Sequence, residues 1–289
     1  MNTISGKKIT LYLAEGLPKG IRKVKIDQWS GLGVAIPRNR LNEIFKDKQH
    51  ASINTAACVY FLIGEASEGG LLRLYVGEAD GFEARIKDHD NKKDWWKDVI
   101  MFMSQDGSLN KTGIQYLESV CVERLKKAGK SILENNKNPN IPTISQEDVS
   151  GLEIFYENIA LILPVLGVDI FVSKNIHTCD SKEMFYCTGK GVKARGILLN
   201  DGKIKVLKDS EAVFKNVSSF NSHFYNSLKK QLLKIERIKK KGSKLIFVDD
   251  YVFDSPSAAA AIILARSASG PIEWKRKDGK PLKKILETE

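Results

Sequence analysis

Tyr60, Tyr75, Arg85, His89 and Glu118 have the side-chain types to work on a phosphate ester, and they fall within one stretch of about sixty residues. Cleaving a phosphodiester calls for an activated water, neutralisation of phosphate charge and help for the leaving oxygen. Arginine offers a planar fork to phosphate oxygens. A glutamate can hold a hard divalent cation that keeps most of its own waters. A phenol, with an ordinary pKa near 10, is about one part in a thousand ionised at neutral pH, so Tyr60 or Tyr75 serves as a base only beside a cation. His89, ordinarily titrating near 6.5, can take or share the proton. These residue types leave the base open among Tyr60, Tyr75 and His89.

The elements that would carry them are readable. "CVYFLIG" and "LRLYVGE" are two apolar runs joined by a Glu, Ser and Gly turn, the pattern of a β-hairpin. If residues 65–70 form the loop, Gly64 faces Leu71 and Tyr60 faces Tyr75, which puts both phenols on one face of the sheet. A slip of one residue would separate them. "DGFEARIKDHD" predicts a helix with Asp80 and Glu83 as a capping box. Arg85 and His89, four apart, project from one side of it. "DVIMFMS" is a third strand. "SLNKTGIQYLESVCVERLKKAG" is an amphipathic helix stopped by Gly129, with Ile114, Leu117, Cys121 and Leu125 as its apolar stripe. Glu118 falls inside that stripe. Burial there raises the pKa of a carboxyl, so an ionised Glu118 needs a cation: Arg85, in a purely structural salt bridge, or a metal.

Around this segment, residues 1–50 predict short strands and a helix after Pro37, a cap or an added edge. "SQEDVSGLEIFYENIALILPVLG" predicts a connecting helix, residues 146–168, capped by Ser145 with Asp148. Beyond about Asp169 the texture changes to strands, an Asp201-Gly202 hairpin turn, a basic helix, and a small-residue helix opened by Ser255-Pro256. The fold class is therefore α+β: a small three-stranded antiparallel sheet with flanking helices, then a second compact α+β domain over residues 169–289.

Charge sets the partner. The chain carries a formal net charge of +11, and Lys229 to Lys244 holds eight basic residues against one acid. A polyanion is the expected ligand, with Lys229, Lys230, Lys239, Lys240 and Lys241 as its contacts; a solvated basic helix face is the plainer explanation of the same run. No apolar run is long enough for a membrane span, and "MNTISGKKITLYL" lacks a signal-peptide core, which predicts a cytoplasmic protein. Four scattered cysteines without a CxxC pair argue against a disulfide framework or structural zinc. "HTC" at His177 to Cys179 holds ligand-type residues without further partners at zinc spacing. Trp95 and Trp96 suit packing beside the third strand, or stacking on unpaired bases.

Taken in order, Val59-Tyr60, Tyr75-Val76-Gly77, Arg85, His89 and Glu118 resemble the signature of the GIY-YIG nucleases over residues 51–145. The resemblance implies a metal-dependent DNA endonuclease using Mg²⁺ or Mn²⁺ on Glu118. It places Tyr60, Tyr75, Arg85, His89 and Glu118 in the catalytic set, with Asn135 or Asn136, preferably Asn135, as the family's late asparagine. Cys58 replaces the signature's glycine, and Glu78 stands where some relatives carry a basic residue. "KARGILLNDGKIKVLK" and "DYVFDSPSAAAAIILARSASGPIEWK" look like a C-terminal domain of uncharacterised function appended to some bacterial members. RNA suits the same phosphate contacts. The alternative is a non-catalytic nucleic-acid-binding or scaffold protein that keeps the nuclease fold; the intact set of five residues favours the enzyme.

Overall fold

The computed structural model describes residues 6–65, 70–135, 138–171 and 183–287. The chain divides into two compact units, residues 1–65 with 72–171, and residues 66–71 with 172–289. Both are α+β.

The first unit opens with strands β1 (Ile9–Leu13), β2 (Arg22–Ile26) and β3 (Gly31–Pro37), then short helices α1 (Leu41–Lys46) and α2 (Ala51–Asn54). The hairpin follows as β4 (Ala57–Gly64) and β5 (Leu72–Asp80), then helix α3 (Phe82–Lys92), β6 (Trp96–Ser104), α4 (Lys111–Ala128), β7 (Ser131–Leu133) and α5 (Gln146–Val165). All seven strands join one sheet in the order β1-β2-β3-β6-β4-β5-β7. The expected three-stranded sheet is thus only its centre, β6-β4-β5. Residues 1–50 are an added edge, because β3 pairs with β6 along its whole length from Gly31↔Ser104 to Pro37↔Asp98. The expected extension, nuclease-like segment and connecting helix form one unit.

Strand β4 is buried on both faces, which is why "CVYFLIG" reads as an unbroken apolar run. Cys58, Tyr60 and Leu62 face a core shared with Ile44, Phe82 and Ile86. Val59, Phe61 and Ile63 face the opposite core, with Ile114, Leu117 and Cys121 of α4 and Ile159 and Ile162 of α5. Gly129 ends α4 in the left-handed region at φ 65° and Ser145 caps α5, as their residue types predict.

Two local expectations are corrected. The hairpin register is shifted by two residues: Tyr60 pairs with Gly77 and Leu62 with Tyr75. An even shift leaves both phenols on one face. The capping box of α3 does not form, because β5 continues to Asp80 and pairs it with Ala57; Gly81, at φ 121°, is the cap residue instead.

The second unit runs β8 (Met184–Gly189), β9 (Val192–Leu198), β10 (Ile204–Val206), β11 (Glu211–Val213), α6 (Phe224–Lys234), β12 (Ile238–Lys241), β13 (Lys244–Phe247), β14 (Tyr251–Phe253), α7 (Pro256–Leu264), α8 (Gly270–Glu273), β15 (Trp274–Lys275) and α9 (Leu282–Leu286). It builds an antiparallel sheet β14-β10-β9-β8-β15 and a three-stranded one, β11-β13-β12. Ser255 caps α7 with Pro256 in its first turn, and the small residues let this helix be buried from Ala258 to Leu264. The expected basic helix is shorter than its charge run. It stops at Lys234, the chain turns through Glu236 at φ 60°, and Lys239 to Lys241 lie on β12. His177, Cys179 and Asn136 lie outside the described residues. Among the described residues, no helix is long and apolar enough to cross a membrane.

Candidate active site

The site is built around the hydroxyl of Tyr60. Its Oη lies 2.7 Å from His89 Nε2 and accepts a hydrogen bond from Arg85 Nε at 3.2 Å. The register explains how a phenol fits inside a sheet core. Gly77 sits opposite Tyr60, and a Cβ there would come within 2.3 Å of Tyr60 Oη and 2.9 Å of Tyr75 Cε1. The glycine of "YVG" is therefore the floor on which the Tyr60 ring lies. Tyr75, diagonal to Tyr60 on the same face, has its ring centroid 6.4 Å from that of Tyr60 and 5.0 Å from the His89 imidazole. One turn of α3 brings Arg85 and His89 onto the pair.

Burial sets the proton affinities. Tyr60 is wholly buried, and desolvation, aided by Tyr75, holds its phenol above the ordinary range against the pull of Arg85. Tyr75, half-buried, is raised for the same first reason and is likewise drawn back by Arg85. His89 is 4% exposed; burial, then the positive charges of Arg85 and Lys93, lowers it to about 4, so it is neutral at pH 7. Its Nδ1 is buried without a hydrogen-bond partner among the described residues. Of the three candidate bases, Tyr75 is the one that reaches solvent.

Glu118 comes from α4, on the opposite face of the sheet, yet Arg85 acts on its proton affinity. The two faces meet at the outer edge of β5. There β7 pairs only with Leu72 to Leu74. Next along the edge, the Asn135 side chain mimics a strand, donating to Val76 O at 2.7 Å and accepting from Val76 N at 3.0 Å. From Gly77 on, β5 has β4 as its sole strand partner among the described residues. Asn135 thus has both ends of its amide engaged in the sheet, which makes it a clasp beside the site.

Burial, then the neighbouring Glu78, raises Glu118 to about 7. Glu78 in turn accepts from Lys111 Nζ at 2.8 and 2.7 Å. Glu78 thus brings a lysine from the first turn of α4 to this edge of the sheet. No cluster of three or more His, Cys, Asp and Glu gathers among the described residues. The donor set nevertheless fits Mg²⁺ or Mn²⁺, which take one or two carboxylates and keep waters for the rest: Glu118, mutually repelled by Glu78, is a carboxylate that a divalent cation would stabilise in its charged form.

Lys111 and Lys93 were not among the residues expected from sequence. The signals were present: Lys111 precedes Glu118 by two helical turns, and Lys93 continues the line Arg85, His89 at a spacing of four. Trp96 is buried with the Arg38 guanidinium 4.7 Å from its ring, and Trp95 packs on Gly64, so both tryptophans serve packing.

Residues 185–286 match the family model of a domain of unknown function, DUF4357. The match spans the second unit from β8 to α9. No GIY-YIG family match accompanies it, and no curated protein and no solved structure matches the chain. The nuclease reading of the first unit therefore rests on its own residues and geometry.

Within the DUF4357 segment the five expected nucleic-acid lysines separate. Lys229 is corrected: it is 3% exposed, and its Nζ donates to Val213 O at 2.8 Å, Phe214 O at 3.3 Å and Asn216 Oδ1 at 2.7 Å. Burial, then Lys190, lowers it to about 8. It ties α6 to the last residue of β11 and the segment that follows, with its three donors turned inward. Lys230, Lys239, Lys240 and Lys241 are exposed. Lys239 pairs with Glu236 at 2.8 Å, and Lys240 Nζ sits 4.4 Å from the Phe214 ring centroid.

Proposed function

We propose that the first unit hydrolyses phosphodiester bonds in DNA with the help of Mg²⁺ or Mn²⁺, and that the exposed lysines of the DUF4357 segment assist nucleic-acid binding. The observation that carries this reading is the hub at Tyr60, whose one hydroxyl is bonded by a guanidinium and an imidazole beside a second phenol. Arg85 donates to the non-bridging oxygens as charge builds on them, and its contact with the phenols eases loss of their protons. Tyr75, the candidate base that reaches solvent, takes the proton of the attacking water only as its phenolate, having first lost its own proton to solvent. The charge of Arg85, and of a divalent ion when bound, would favour that form against the burial that raises its proton affinity. Neutral His89 holds Tyr60 in place through its ring nitrogen. Glu118, with Glu78 near, would hold the divalent ion, which supplies Lewis-acid stabilisation of the phosphate when bound.

The test is nicking of supercoiled plasmid by the full chain with Mg²⁺ or Mn²⁺, against an EDTA control and Glu118→Ala. Metal-dependent nicking that falls at least a hundredfold in Glu118→Ala is expected, in line with the loss of one main electrostatic group. Binding of DNA without any nicking by the native protein would overturn hydrolysis and leave a nucleic-acid-binding role.

A further inference from the structure

Around the tyrosine pair, the charges of α3 do not balance. Glu83 is taken by Lys87, Asp88 by Lys92 at 2.6 Å, and Asp90 by Arg38 at 2.6 Å. Every acid within the helix thus has a cation. Lys93, at its C-terminal cap, has no carboxylate within ion-pair distance among the described residues; its Nζ stands 4.3 Å from the Tyr75 ring centroid. A seat above a ring face uses the charge of an ammonium but none of its three N–H donors. Those donors are left for an anion, on the half-exposed side of the tyrosine pair.

Arg85 lies on the same helical line and rests on the other phenol, Tyr60. Eight residues separate the two on the helix, about 12 Å of rise between their Cα atoms, and their heads rest on different phenols, whose ring centroids are 6.4 Å apart. That is wider than the oxygens of a single phosphate. We infer that Lys93 is a second phosphate-binding cation of this site, holding a phosphate next to the one that Arg85 engages, so that the site takes a polynucleotide strand rather than a phosphomonoester. The inference rests on the phosphodiesterase reading above and names the residue that carries the substrate's neighbouring phosphate. Lys93 is a positioning residue: it holds the strand and does not touch the bond that breaks.

The test separates the two ideas. A fluorescently labelled duplex DNA is titrated with the full chain in EDTA, where metal-dependent cutting is off, over a series of salt concentrations, using the native protein, Lys93→Gln, Lys93→Arg and Lys92→Gln. Loss of one phosphate contact lowers the slope of log K against log salt by about 1. Lys93→Gln is expected to weaken binding several-fold with that loss of slope, Lys93→Arg to restore both, and Lys92→Gln, whose lysine is already paired with Asp88, to keep the native slope. An unchanged slope in Lys93→Gln, or an equal drop in Lys92→Gln, overturns the assignment. Plasmid nicking by the same proteins tells which idea has failed: nicking with an unchanged slope removes Lys93 alone, and a lowered slope in a protein that never nicks keeps Lys93 as a phosphate contact while removing hydrolysis.

Discussion

Glu118 is held protonated to about pH 7 in the folded chain, against an ordinary value of 4.5. Between those two values the folded state binds more protons than the unfolded state, so stability falls as pH rises through this window and the penalty is complete above about pH 7. Replacing it with glutamine removes the penalty. In EDTA, Glu118→Gln is expected to unfold at the same denaturant concentration as the native protein near pH 4 and to be more stable by about 1 to 2 kcal/mol at pH 8, discounted for a half-exposed side chain. Chemical denaturation at the two pH values checks this, and equal stabilities at pH 8 would falsify the burial argument. The same residue shows what a sequence can yield at this scale. An acid inside the stripe Ile114, Leu117, Cys121 signals a perturbed carboxyl before any coordinates exist. Its second perturber, Glu78, was legible only as a departure from a signature, because nothing local says that β5 and the start of α4 come together.

At the scale of elements, caps and turns were legible because their chemistry is local: Gly129, Ser145, the Ser255-Pro256 pair and the Asp201-Gly202 turn all do what their residue types require. The hairpin register was off by two residues because its cause is not local to the turn. It is the need for a residue without Cβ opposite the Tyr60 ring, which only Gly77 meets. The lysine run failed for a similar reason. Side by side in sequence, Lys229 and Lys230 look alike, and only the carbonyls of Val213 and Phe214, brought in by the fold, make one of them structural. The two kinds of lysine give opposite phenotypes. Lys229→Met leaves buried acceptors unpaired and is expected to cost about 2 to 4 kcal/mol, while leaving the salt slope of DNA binding native in whatever fraction remains folded. Replacing Lys239, Lys240 and Lys241 together by glutamine is expected to leave the melting temperature within a few degrees and flatten the slope. Thermal melts beside salt-dependent binding decide it; a flattened slope in Lys229→Met would contradict its buried role.

At the scale of the molecule, the split into two units near residue 170 was visible as a change of texture. The extent of the sheet was not. Pairing between β3 and β6 joins residues some sixty-five positions apart, and an apolar strand does not reveal which neighbour it will take. Because of that pairing, residues 1–50 are not an optional extension. A chain beginning at residue 51 would expose the full edge of β6, with Val99 to Met103 beside it, as a template for another strand. Such a truncation is expected to be recovered as aggregate, where a fragment of residues 172–289 remains soluble and cooperatively folded; size-exclusion chromatography and far-UV circular dichroism of the two fragments test this. The central place of β4 carries one more consequence. Its amides are locked from both sides, by β5 and by β6. Amide hydrogens around Tyr60 should therefore exchange with deuterium only when the whole unit unfolds, at rates reporting global stability. The Asn135 clasp and the free stretch of β5 beyond it belong to a shallower opening. A bound ligand would slow exchange there first, which makes the sheet's outer edge the place to watch for occupancy and Tyr60 the internal clock against which to read it.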